Sequence, residues 1–340
     1  MNERLALDEA GLAHYLAQAM PDFRGPLRAT KFKGGQSNPT YSIEAASGHY
    51  VLRRKPLGKL LASAHAIDRE FRVLRALADS AVPVARALHL CTDDTVIGSM
   101  FYLMDYVPGR IFWDPALPEI DAAQRAPVYA DIVRVLAALH AQDLDALGLR
   151  DYGKPGNYFA RQVARWTEQY RAAADEPIAA MDALIDWLPA HCPPEDGRVS
   201  LVHGDFRIDN LIFDAHAPRI RAVVDWELST LGHPMADLSY FCMALRLPRN
   251  PVLSGLAGLD RASLGIPDEA DLIARYTAHG GSADTAHWGF YLAFNFFRLA
   301  AIAQGVAQRA RQGNASSDQA RAVGAMTRTV AELGLAARAG

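Results

Sequence analysis

The sequence predicts an α+β fold in two lobes, the first β-rich and the second mainly helical with one strand hairpin set inside it. Three stretches carry that expectation. "ATKFKGGQSNPTYSIEAASGHYVLRRKP", from Ala29, reads as strand, Gly-rich turn, strand, Ser-Gly turn and strand. Beyond residue 110 apolar positions recur at helical spacing, roughly over 122–144, 157–173, 178–190, 268–279 and 285–311. Between them, 199–225 is an island of short apolar runs with β character.

Taken in order, Asp8 to Met20 shows helical spacing through Leu12, Tyr15, Leu16 and Ala19. After the three strands, "SAHAIDREFRVLRALA" offers Ser63 as an N-cap and Ile67, Phe71, Leu74 and Ala78 as one apolar face. A strand pair follows at 87–91 and 99–104, and "DYVPGR" breaks the pattern with Pro108 and Gly109. The expected division is 1–104 as the first lobe, 105–109 as a hinge and 110–340 as the helical lobe.

Composition narrows the classes. The chain has 340 residues, 50% of them hydrophobic, enough for a sizeable core. A net charge of −3 argues against a general nucleic-acid or anionic-membrane partner. Three scattered cysteines and a charged N-terminal run, "MNERLALDEAG", point to the reducing cytoplasm. The apolar stretch from His287, "HWGFYLAFNFFRLAAIAQGVAQ", approaches membrane length, but Asn295, Arg298 and Gln304 interrupt it. A charge at mid-span is costly in lipid, so a buried core helix is expected.

The chemistry concentrates in "LVHGDFRIDNLIF", where His203, Asp205, Asp209 and Asn210 crowd the gap between two apolar runs. A polar turn alone explains such residues. The following segment, "NLIFDAHAPRIRAVVDWE", reads as a hairpin whose antiparallel pairing folds Asn210 back towards Asp225. Oxygen ligands at the open end of a hairpin suit Mg²⁺, which takes few protein ligands when phosphates supply the others.

"HGDFRIDN" followed by "VVDWELSTLGHPMADLSY" resembles the aminoglycoside phosphotransferase and choline kinase family, relatives of the protein kinases. The resemblance implies a protein-kinase-like fold and an ATP- and Mg²⁺-dependent transfer of phosphate to a small-molecule hydroxyl. By it Asp205 is the catalytic aspartate, Asn210 and Asp225 bind Mg²⁺, Asp237 braces the catalytic loop and His203 is a structural member of that loop. Gly34 and Gly35 let backbone amides approach a phosphate, as a plain hairpin turn also would. Arg53 stands where the kinase strand places lysine, and Glu70 is its natural partner, although a solvated surface Glu fits the same spacing. Backbone groups from Met104 to Tyr106 are expected to face adenine.

"FYLMDYVPGRIFWDP" and neighbouring stretches are similar to the branch of kinase-like domains associated with acyl-CoA dehydrogenases. That implies a hydroxyacyl-CoA acceptor and a separate acyl-CoA dehydrogenase as partner. Arg207, with Arg246, Arg249, Arg261 and Arg298, offers cations for such an anionic acceptor, unless these are surface residues. Alternatives are an aminoglycoside or amino-alcohol kinase, and a pseudokinase module that binds nucleotide or acyl-CoA.

Overall fold

The structure, a computed structural model, describes residues 7–32, 38–56, 66–174, 176–250, 254–311 and 318–339. Helix α1 (Glu9–Ala19) opens the fold, and Asp8 caps it by accepting from the Gly11 amide at 3.0 Å. Five antiparallel strands follow: β1 (Leu27–Lys31), β2 (Thr40–Ala45), β3 (Gly48–Arg54), β4 (Ala87–Cys91) and β5 (Phe101–Asp105). Their order across the sheet is β1-β2-β3-β5-β4, so the last hairpin turns back and β5 pairs with β3. Helix α2 (Ile67–Leu77) crosses between β3 and β4 in sequence. Ser63, expected to cap it, lies outside the described residues.

Strand alternation sorts β3 between two interiors. Leu52 joins Leu12, Leu16, Ile43 and Phe101 in a core shared with α1. Arg53 points the opposite way, towards α2. On that side Ile67, Val73, Leu74 and Leu77 merge with the large core of the helical part. The sheet therefore has one private face and one face continuous with the rest of the molecule.

Helices α3 (Ala122–His140), α4 (Tyr158–Ala173), α5 (Ala179–Ala190), α6 (Met235–Met243), α7 (Glu269–Ala278), α8 (Trp288–Arg311), α9 (Asp318–Ala325) and α10 (Thr327–Ala337) form the second part. By length and composition α8 is apolar enough to cross a membrane, but 78% of its apolar window is buried inside the protein. Its interrupting polar groups are bonded inside: Asn295 Nδ2 donates to Ala236 O at 3.0 Å and Gln304 Nε2 to Ala173 O at 3.2 Å.

Two small ladders hold the loop of interest: β6 (Ser200–Val202) with β9 (Thr230–Gly232), and β7 (Leu211–Phe213) with β8 (Ile220–Val223). The chain leaving the sheet docks on this hairpin, for Arg110 and Phe213 exchange backbone bonds of 2.9 and 2.8 Å. A Cβ on Gly109 would stand 2.3 Å from Phe213 O, so only glycine permits this approach. Helix α2 is pinned to the helical part as well. Arg69 lies 4.0 Å over the Tyr152 ring and donates to Tyr152 O at 2.6 Å, while Tyr152 and Ser229 share a 2.7 Å hydroxyl bond.

Candidate active site

Residues 203–210 run from β6 to β7, and their backbone is held from below by Asp237. This residue sits in the first turn of α6 with no exposed surface. Its Oδ2 accepts the His203 amide at 2.6 Å and its Oδ1 the Gly204 amide at 2.9 Å. Burial opposes its charge, but donors from His140 and Gly204 and the nearby His203 hold its pKa below the usual carboxylate range. The His203 ring fits the carbonyl it meets: Nε2 donates to Val224 O at 3.0 Å and Nδ1 accepts the Asp205 amide at 3.2 Å. Gly204 has φ +82°, and a Cβ there would meet Leu228 O at 2.5 Å, so the turn before Asp205 requires glycine.

Asp205 is bonded at both oxygens. Tyr240 donates its hydroxyl to Oδ1 at 2.6 Å, and Asn210 Nδ2 donates to Oδ2 at 2.9 Å and to Asp205 O at 2.9 Å. Burial raises the pKa of Asp205, but Arg207, the Tyr240 bond, His203 and Arg298 outweigh it and the group stays ionised. Arg298 is itself buried, donates to Gly204 O and lies 5.4 Å over the Tyr240 ring. Since Asn210 points its amide nitrogen at Asp205, its Oδ1 is the atom left for a ligand. The Val224 amide donates to Asn210 O at 2.9 Å and so brings Asp225 beside this loop. Asp225 adopts a left-handed backbone, φ +67°, sparsely populated by non-glycine residues.

Across the cleft, one guanidinium serves three carboxylates. Arg53 Nε lies 2.9 Å from Glu70 Oε2, an ion-pair distance without hydrogen-bond alignment. Its Nη2 reaches Asp225 Oδ1 at 2.6 Å and Glu227 Oε2 at 3.5 Å. Glu70 also accepts from Asn38 Nδ2 at 2.9 Å and from the Tyr102 hydroxyl at 3.2 Å. Burial nonetheless pushes Glu70 up to about 7, against the pull of Arg53 and with the repulsion of Asp225 and Glu227. For Arg53 burial acts against the charge, and the surrounding carboxylates overcome it and raise its pKa further.

The structure thus brings His203, Asp205, Asn210, Asp225 and Asp237 together on one side and Arg53 and Glu70 on the other. Gly34 and Gly35 lie outside the described residues. Met104 pairs with Val51 inside the sheet. Two amides of the stretch expected to face adenine are already engaged. The Asp105 amide donates to Arg86 O at 3.0 Å and the Tyr106 amide to His49 O at 3.2 Å, so neither is free. The Tyr106 ring stacks on His49 with centroids 3.7 Å apart.

The arginine argument is corrected too. Arg207 forks onto Asp209, Arg246 onto Glu269 and Arg249 onto Asp114, and Arg261 donates to Leu245 O at 3.1 Å. Each already has a partner: for Arg246 and Arg249 an acid distant in sequence, for Arg207 an acid two residues on, and for Arg261 a backbone carbonyl. Within "LGHPMAD" α6 begins at Met235. Its signal was the proline just before the first turn and the acid within it. Sequence reasoning also missed Asn38, Tyr102, His140, Glu227 and Tyr240, whose roles arise from long-range contacts. Among the described residues no group of three or more His, Cys, Asp or Glu is arranged to hold a metal unaided.

A carboxylate kept ionised, amide and carboxylate oxygens at the end of a hairpin and a guanidinium beside them are the groups a phosphotransferase uses. The chain belongs to the phosphotransferase enzyme family, whose model matches residues 28–273. It is 48% identical to a chain from Ralstonia eutropha described as a candidate aminoglycoside phosphotransferase, with a TM-score of 0.89 over 98% of this chain and 99% of that one. Acyl-CoA dehydrogenase family member 10 of Mus musculus is 47% identical over 335 residues, which is 98% of this chain but 31% of that protein. The chain therefore spans about a third of that relative's length. Aminoglycoside phosphotransferase APH(4)-Ia, solved with ADP and hygromycin B, shares the fold at 17% identity and a TM-score of 0.62, over 97% of this chain and 99% of that one.

Proposed function

We propose that this chain is an ATP- and Mg²⁺-dependent small-molecule kinase that moves the γ-phosphoryl group to a substrate hydroxyl, with a hydroxyacyl-CoA as acceptor. The observation that carries the reading is Asp205, kept ionised by Arg207, Tyr240, His203 and Arg298 and bonded by Asn210, at the end of a backbone clamped by Asp237. An aspartate below its usual pKa range is a weak base but a good acceptor for orienting a hydroxyl. That suits a loose phosphoryl-transfer transition state, in which positioning and charge neutralisation do most of the catalysis.

The residues fit a hard divalent cation. Asn210 Oδ1 and the Asp225 carboxylate are oxygen donors, and the Arg53 guanidinium already stands on Asp225 as a cation. Two protein ligands suffice where phosphate oxygens complete the shell, and bound Mg²⁺ would neutralise phosphate charge. Arg53, steadied by Glu70, faces the cleft to meet phosphates, and Asp205 orients the acceptor hydroxyl.

The acceptor class is supported by the acyl-CoA dehydrogenase name of a relative that aligns with nearly this whole chain. The same name supports a separate acyl-CoA dehydrogenase as partner. Free cysteines, Cys91 and Cys242 buried and Cys192 half-buried, accord with a cytoplasmic setting. The test is Mg²⁺-dependent ADP release from ATP across hydroxyacyl-CoAs, aminoglycosides and amino-alcohols. Release stimulated by a hydroxyacyl-CoA is the expected result. Stimulation by an aminoglycoside alone would replace the acceptor, and no release with any of them would sink the kinase reading.

A further inference from the structure

We infer that Tyr152 is a positioning residue for the nucleotide side of the cleft: it bolts α2, which carries Glu70, to the turn that follows Asp225, and in this it rests on the kinase reading above. Tyr152 lies in the loop between α3 and α4 and is 1% exposed. Its partners are Arg69 of α2 on one side and Ser229 on the other.

Helical spacing brings Arg69 and Arg72 onto one side of α2, three residues apart. Arg69 spreads over the Tyr152 ring at 4.0 Å and donates to Tyr152 O at 2.6 Å. Arg72 Nη2 donates to Gly148 O, in the same loop, at 2.7 Å, and its Nη1 to Asp151 Oδ2 at 3.2 Å. Arg69 immediately precedes Glu70, whose carboxylate turns to Arg53. The grip on Arg69 therefore sets where Glu70 stands.

On the other side, Ser229 gives its hydroxyl proton to Trp226 O at 2.5 Å, so Tyr152 is the donor in the 2.7 Å bond to Ser229 Oγ. Arg69 O lies 3.4 Å from the same phenol oxygen. One hydroxyl thus stands between the α2 backbone and Ser229. The Ser229 amide also donates to Trp226 O, at 3.0 Å, which closes the turn Trp226–Leu228 directly after Asp225. The left-handed backbone of Asp225 persists only where its surroundings over-determine it. A Cβ on Gly153 would meet Thr230 Oγ1 at 2.6 Å and Leu231 N at 2.7 Å, so the loop is fitted onto β9 as well.

Helix α2 and this turn are therefore joined twice. Arg53 joins them inside the cleft by charge, from Glu70 to Asp225 and Glu227. Tyr152 joins them from behind, through a ring and a neutral hydroxyl. In the kinase reading Asp225 turns to a metal, so the inner bridge loosens when the site is loaded. The outer bridge contains no group that leaves, and it keeps Glu70 and Asp225 at one spacing. Misplacement of a reacting group by about 1 Å is enough to cost on the order of 100-fold in rate.

The two ends of the bridge can be cut separately. Tyr152→Phe keeps the ring under Arg69 and removes the hydroxyl, whereas Arg69→Met removes the cation from the far end. Both variants and their combination are compared with wild type for kcat and for KM of the best acceptor found above. Hydrogen exchange of the Ser229 amide is followed in the same proteins. The expected result is a kcat about 10-fold lower in each single variant, with the acceptor KM unchanged. The double variant should be no slower than the slower single one, because both substitutions cut the same chain of contacts. Ser229 should exchange faster in Tyr152→Phe, and faster in Arg69→Met too, through the loosened Tyr152.

Losses that multiply in the double variant would mean two independent contacts and would overturn the proposal. Wild-type exchange at Ser229 in Arg69→Met would overturn it as well. Should Arg69→Met or the double variant fail to fold, Tyr152→Phe decides, since it removes one hydroxyl only. Wild-type turnover or wild-type exchange in that protein would then sink the bridge. A wild-type protein that turns over no acceptor defeats the kinase reading instead, and the exchange comparison still tests Tyr152.

Discussion

The two walls of the cleft treat their carboxylates in opposite ways. On the catalytic-loop side donors outnumber the acids: Asp237 receives two amides and a histidine, and Asp205 receives a tyrosine and an asparagine. Both acids are held below their usual range. On the nucleotide side Arg53 is shared by Glu70, Asp225 and Glu227, and Glu70 is pushed up to about 7. The first wall is complete without a ligand. The second is short of positive charge, with one guanidinium among three carboxylates. Preorganisation is thus concentrated around Asp205, and electrostatic tension around Arg53, where the proposed function puts metal and phosphates.

The sharpest way to break this contrast is Asp205→Asn. It keeps shape and removes the charge that orients the hydroxyl, so turnover should fall by about 10²- to 10⁴-fold while the melting temperature changes little. Turnover within a few-fold of wild type, measured as acceptor-stimulated ADP release, would place the working acid elsewhere. Next in size is Arg53→Met, which strands a buried Glu70, 2% exposed at its side chain, without its cation. Breaking such a pair costs about 3–5 kcal/mol of stability. In a Glu70→Gln background the same substitution should cost much less, because no buried charge is left behind. Equal costs in both backgrounds, by denaturant titration, would mean that Glu70 does not depend on Arg53.

How much of this was legible in the sequence follows the same division. The loop acids and the hairpin could be read because their partners lie close along the chain: Asn210 is five residues beyond Asp205, and Asp225 is reached by one turn of a hairpin. The alternation of β3 likewise sent Leu52 and Arg53 to opposite faces. The contacts that went unread cross the fold. Tyr240 reaches Asp205 over 35 positions, His140 reaches Asp237 over 97, and Arg53 reaches Glu227 over 174. Local periodicity carries no record of such pairs. For the same reason five arginines looked available in sequence, whereas tertiary folding had already supplied Arg246 with Glu269 and Arg249 with Asp114.

The smallest expected effect probes the strained wall by pH alone. Glu70 ionises near 4.5 when unfolded and near 7 when folded, so the folded state binds the proton more tightly. Its contribution to stability is then fully present below about 4.5 and is lost as pH rises through about 7. The wild-type protein should become less stable between pH 5 and 8, by at most about 1.4 kcal/mol per pH unit from this group. Glu70→Gln removes the titration and keeps an acceptor for Arg53 and Tyr102, so the difference between the two proteins isolates the effect. Parallel stability profiles would show that Arg53, Asn38 and Tyr102 together keep Glu70 fully ionised. The nucleotide wall would then be as well neutralised as the catalytic one, and the contrast between them would rest on geometry instead of charge.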